Sequence, residues 1–171
     1  VKIMGIDPGT RACGYGAIET DGRDAKALAY GVIHARTGDP AARLKVVFDG
    51  LVEVIRDVAP DVVAVEGAFF GRNVRSALKI GEGRGVALLA AAGAGVDVAE
   101  YAPAEVKKAV VGTGQAHKAQ VQKMVRLLLG LPPGELPEDA ADALAIAICH
   151  SHRAGRAENR HGNAPGDAHS P

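Results

Sequence analysis

Residues 41–66 read AARLKVVFDGLVEVIRDVAPDVVAVE, and this stretch decides the fold class. Leu44, Val47, Phe48, Leu51, Val52, Ile55 and Val58 recur at intervals of three and four, which predicts one apolar helical face between Ala41 and Val58. Pro60 ends the helix. Val62-Val63-Ala64-Val65 is then a continuous apolar run, the pattern of a strand buried on both faces, and it stops at Glu66. A helix feeding such a strand is the core of a βαβ unit and predicts an α/β sandwich, a mixed β-sheet flanked by helices.

Upstream, Val1 to Ile6 reads as a strand running into the turn Asp7-Pro8-Gly9-Thr10, where Pro fixes one backbone angle and Gly supplies another. Strands at Gly14–Glu19 and Ala27–Ala35, joined through the polar segment Thr20–Asp24, complete an antiparallel meander. Downstream, Asn73 is a fair N-cap for a helix reaching Ala92, whose Gly81, Gly83 and Gly85 permit close backbone approach. A short strand near Val96–Ala99 and helices near Ala104–Val110 and Ala116–Leu129 follow, then a loop marked by Pro132, Pro133 and Pro137. The last helix is expected from Glu138 to His152.

The 171 residues, 47% hydrophobic and 23% charged, suit one domain. Residues 1–153 form that domain in this reading. Residues 154–171 lack large apolar side chains after Ala154 and are expected to be a disordered C-terminal tail. Cys13 and Cys149 are the only cysteines and have no metal-type spacing, which suits a reducing, cytoplasmic setting. No signal-peptide pattern opens the chain, and the longest apolar and glycine run, Val86–Val96, is half of what a spanning helix needs.

Net charge is zero, but residues 72–126 carry nine basic against four acidic side chains. Lys107, Lys108, His117, Lys118, Lys123 and Arg126 lie in this stretch, as phosphate contacts require. Asp7 and Glu66 each end a predicted strand, where ligands gather in α/β sheets. Asp139 and Asp142, three apart, share one face at the start of the last helix, where the helix dipole favours anions. Asp142 is the only polar residue between Ala140 and Cys149, so it must face a cation, a donor or a wet cleft. Four converging carboxylates would repel one another unless compensated, and oxygen-only ligation suits Mg²⁺ or Mn²⁺. Two such ions per site can activate water and stabilise a leaving oxygen in phosphodiester hydrolysis. Phe69 and Phe70, ahead of Arg72 and Arg75, suit stacking on an unpaired base beside a phosphate track, and suit a buried core equally. His150 and His152 point to different helix faces and are rejected as a metal pair, with both expected at the surface.

Residues 1–153 resemble the RuvC family of crossover junction endodeoxyribonucleases. The resemblance is carried by Gly5-Ile6-Asp7-Pro8-Gly9-Thr10 with Gly14-Tyr15-Gly16, by Val65-Glu66 through Phe69 and Asn73, and by Ser76-Ala77-Leu78-Lys79. It continues in Val106-Lys107 to Gly114, Lys118 to Val125, and Asp139-Ala140-Ala141-Asp142-Ala143-Leu144-Ala145. It implies a ribonuclease H-like fold and metal-dependent resolution of Holliday junctions by paired nicks, in DNA recombination and repair. It places the catalytic acids on Asp7, Glu66, Asp139 and Asp142 and basic residues near the scissile strand on Lys107 and Lys118. It makes Phe69 the residue that engages bases at the junction centre. It also implies a homodimer, with the glycine-rich helix as candidate interface, and a branch-migration motor complex of the RuvA and RuvB type as partner. Gly67-Ala68 and Arg72 depart from the family's commoner residues, which bears on sequence preference and not on the acids.

Two alternatives remain at this level. Asp-Pro-Gly-Thr after a first strand also resembles the phosphate loop of actin-like ATPases and sugar kinases, although no second such loop is found. A junction-binding module that no longer cuts is the non-enzymatic reading, although all four acids are present.

Overall fold

The computed structural model describes residues 1–67 and 74–161, with side chains through Gly155. Five strands form one sheet in the order β3-β2-β1-β4-β5. They are β1 (Lys2–Asp7), β2 (Ala12–Thr20), β3 (Ala25–His34), β4 (Val62–Glu66) and β5 (Asp97–Tyr101). The first three pair antiparallel, as the predicted meander requires, while β1 pairs parallel with β4 and β4 with β5. Helix α1 (Pro40–Val58) therefore carries the chain from the β3 edge across two strands to β4. Helix α2 (Val74–Gly93) closes a second parallel unit between β4 and β5.

Strand alternation divides the core into two layers. Met4, Ile6, Val63 and Val65 face α1 and α2, where Val47, Leu51, Ile55 and Val58 from α1 meet Ala87, Ala90 and Ala91 from α2. Ile3, Ile18 and Ala64 face the other way, toward α3 (Pro103–Val111), α4 (Lys118–Leu128) and α5 (Glu138–His161). The start of α1 is set by Asp39, whose Oδ1 accepts from the Ala42 amide at 2.8 Å, with Pro40 in the first helical turn. Its end is set by Ala59 in the left-handed region at φ 48°.

Helix α5 runs past its expected end at His152 to His161. Arg153, Ala154 and Ala157 are strong helix formers, and the one Gly at 155 costs an ongoing helix only about 1 kcal/mol. Residues 162–171, the remainder of the expected tail, lie outside the described residues.

Candidate active site

Three carboxylates meet where the start of α5 crosses the end of β1. Asp7 closes β1, and Asp139 and Asp142 stand in the first turns of α5. Glycines let the helix come this close. A Cβ at Gly14 would sit 2.0 Å from the Asp139 carbonyl oxygen, and one at Gly5 would sit 1.9 Å from that of Ala143. Gly14 is also the residue opposite Asp7 in the β1–β2 ladder. The α5 backbone thus rests directly beside Asp7, and one oxygen from each of Asp7, Asp139 and Asp142 falls within 4.8 Å of the others.

Crowding like charges in a half-dry site shifts their protonation. Burial, then repulsion from Asp142, Glu66 and Asp139, pushes the Asp7 carboxyl up to about 7, with Lys118 pulling the other way. Burial likewise raises Asp142, against the pull of its bond to Lys118. Glu66 is raised by burial and by Asp142, and is eased by Lys118 and Lys107. Such a trio favours a divalent cation, because a cation removes the repulsion that otherwise keeps a proton on Asp7. The donors are all oxygen, the set that hard cations take. The residues therefore fit the implied metal.

Glu66 stands at the end of β4 and lines the same cavity as Asp142, Lys107 and Lys118, a space of about 270 Å³ closed by Val106, Val121 and Ile146. It lies outside the tight trio. Lys118, the first residue of α4, places Nζ 2.9 Å from Asp142 Oδ2 and also contacts the Glu138 carboxylate. Burial works against its charge, but the hydrogen bonds to Glu138 and Asp142 outweigh that and raise its pKa.

The remaining sequence-derived positions divide. Lys107 faces the carboxylate cavity, whereas Lys108, one residue on and turned by about 100°, lines a separate cleft with Glu105, Cys149, His152 and Arg153. Arg75 is exposed in the first turn of α2. Phe69 and Arg72 lie outside the described residues. His150 is not at the surface as expected: it is half-buried, with Nδ1 2.7 Å from the Tyr101 hydroxyl. Glu138 was not singled out by the sequence, although its spacing of four from Asp142 puts both on one helix face.

The sequence profile described as crossover junction endodeoxyribonuclease RuvC matches residues 3–150. The chain belongs to this family. A RuvC from Syntrophotalea carbinolica is 56% identical over 153 residues, covering 89% of this chain and 94% of that protein. One from Heliobacterium modesticaldum is 55% identical over 152 residues, covering 88% and 93%. Among solved structures, T. thermophilus RuvC in complex with Holliday junction substrate superposes with a TM-score of 0.85 at 39% identity, covering 91% of this chain and 96% of that one. The yeast mitochondrial Holliday junction resolvase Ydc2 shares the fold, with a TM-score of 0.64 at 13% identity over 94% of this chain and 83% of that one. The architecture is ribonuclease H-like, as expected. RuvC nucleases are metal-dependent, and the acidic trio is where this chain gathers oxygen ligands.

Proposed function

We propose that this chain is a structure-specific DNA endonuclease that resolves Holliday junctions by paired symmetric nicks, through metal-dependent phosphodiester hydrolysis, in DNA recombination and repair. The observation that carries the reading is the joining of Asp7, Asp139 and Asp142 in one cluster, with Glu66, Lys107 and Lys118 around the adjoining cavity. Nearly the whole length of the RuvC relatives is matched, which extends the reading from the site to the protein.

In this reading Asp7, Asp139, Asp142 and Glu66 hold Mg²⁺, with Mn²⁺ able to substitute and two ions per site. Bound there, the metal supplies Lewis-acid activation of water and of the phosphoryl group. The chain's own residues do the rest. The carboxylates fix the metal position because their helix lies on glycine backbone. Lys107 and Lys118 line the cavity, where their ammonium groups can stabilise the negative charge that develops on the leaving 3′ oxygen as its bond to phosphorus breaks. Val106, Val121 and Ile146 keep that side of the cavity apolar and strengthen each charge interaction. The products are 5′-phosphate and 3′-hydroxyl ends.

A junction is two-fold symmetric and needs two cuts, which a homodimer supplies. Helix α2 supports this assembly, since Val74, Leu78 and Leu89 are 75%, 64% and 61% exposed on it. Cytoplasmic action beside a branch-migration complex of the RuvA and RuvB type completes the proposal; no helix among the described residues is long and apolar enough to cross a membrane. Phe69, Arg72, Arg75 and Lys108 are proposed DNA contacts beyond the cleavage site itself.

The test is a denaturing-gel assay on a labelled four-way junction and on linear duplex of the same sequence, with Mg²⁺. Symmetric nicks confined to the junction are expected. Binding without nicks would instead fit a structural module, and neither binding nor nicks would overturn the reading.

A further inference from the structure

The hairpin of β2 and β3 outreaches the carboxylates it flanks. Asp7 pairs with Gly14, but the β2–β3 ladder continues past that level through Cys13↔Ile33 and Ala12↔His34. The Ala35 amide then donates to the Arg11 carbonyl at 2.8 Å. At about 3.4 Å per residue this end projects roughly 7 Å beyond the carboxylate level. It carries Arg11, His34 and Arg36, all exposed. None of the three makes a hydrogen bond or ion pair through its side chain among the described residues.

The local acid is already committed. Asp39 caps α1, and Arg43 donates to the Gly38 carbonyl at 2.7 Å, which ties down the loop leaving Arg36. The far end of the hairpin is mixed in charge: Glu19 pairs there with Lys26 at 2.7 Å, and Asp21 accepts from the amides of Arg23 and Asp24. Positive charge without a paired acid is thus found at the end of the hairpin beside the active site, on Arg11 and Arg36. Lys107 and Lys118 supply the charge on the β4–β5 side, and Arg11 and Arg36 supply it on the β3 side. With strands about 4.8 Å apart, β3 stands roughly 10 Å from Asp7's strand, a gap that a few nucleotides span at about 3.4 Å of rise each.

We infer that Arg11, His34 and Arg36 form a second phosphate-binding surface, which holds the backbone of a duplex arm leading away from the cleavage point. The inference rests on the junction-cutting reading above. Free guanidinium groups on a projecting, braced ladder suit a regular array of phosphates.

The experiment uses an Asp7→Asn parent, which is expected to bind without cutting, and adds Arg11→Gln with Arg36→Gln, or Arg23→Gln at the hairpin's other end. Each protein is titrated onto junctions with long arms and with arms trimmed close to the branch, over a range of salt. Loss of two phosphate contacts makes the log–log salt slope shallower by about 1.8. The double variant is expected to show that change with an affinity loss of about tenfold or more on long arms, and little loss on trimmed arms. Arg23→Gln is expected to match the parent. A double variant with parental slope and affinity overturns the inference and leaves the resolvase reading intact. A parent that binds no junction overturns both. Arg11, Arg23 and Arg36 are all exposed, and melting temperatures equal to that of the parent confirm that the comparison reports on DNA.

Discussion

Lys118 Nζ lies 2.9 Å from Asp142 Oδ2, so the first residue of one helix neutralises a carboxylate in the first turns of another. Lys118 also holds Glu138, one turn earlier on α5. Removing the ammonium while keeping the stem, in Lys118→Met, is expected to lower single-turnover cleavage by about 100-fold and leave junction affinity within a few-fold. Glu138→Gln leaves Lys118 its bond to Asp142 and is expected to cost less than tenfold. Equal, severe losses in both variants would assign Glu138 a direct part in the chemistry.

Asp7 dictates a pH dependence. Its folded pKa, about 7, lies above the ordinary 3.8 of the unfolded chain, so the folded state holds more protons between those values. Its contribution is therefore most favourable below about 4 and is lost as pH rises toward 7. In chelator, raising the pH through that window is expected to lower the melting temperature more in the wild type than in Asp7→Asn. Adding Mg²⁺ should shrink the difference. Parallel melting curves for the two proteins across the window would show that the carboxylates do not repel as described.

Gly5 and Gly14 should tolerate no side chain. A Cβ at either would fall about 2 Å from an α5 carbonyl oxygen, so the helix must move. Gly14→Ala is expected to destabilise by roughly 1–3 kcal/mol, the range for overpacking, and to weaken Mn²⁺ binding in calorimetry. A stable variant with unchanged Mn²⁺ affinity would mean that the carboxylate spacing does not depend on this contact.

Ala59 ends α1 at φ 48°, a conformation that Gly adopts at no steric cost. Ala59→Gly is expected to raise stability by about 0.5–1 kcal/mol in urea denaturation and leave cleavage unchanged.

Much of this was legible in the chain itself. The spacing from Leu44 to Val58 gave α1, and the unbroken Val62–Val65 run gave a central strand, because burial on one face or two leaves a periodicity in sequence. Asp142 announced itself as the one polar residue between Ala140 and Cys149. What could not be read depends on contacts between distant segments. The half-burial of His150 comes from Tyr101, 49 residues earlier. The value of Gly5 and Gly14 is set by a helix more than a hundred residues later, and in the sequence they look like any strand glycine. Lys107 and Lys108 are neighbours of one type, and only the rotation of α3 decides which one faces the acids.

Because sheet and helix touch through backbone at Gly5 and Gly14, the distance between Asp7 and its partners on α5 is dictated by main-chain atoms that every amino acid shares. The exposed faces of α5 and the neighbouring loops are then free to drift in composition, or to be redesigned, without retuning the spacing of the acids. Mutational tolerance and catalytic geometry are thereby separated along a single helix, with intolerance concentrated at the glycines of the strands beneath it, Gly5, Gly14 and Gly16.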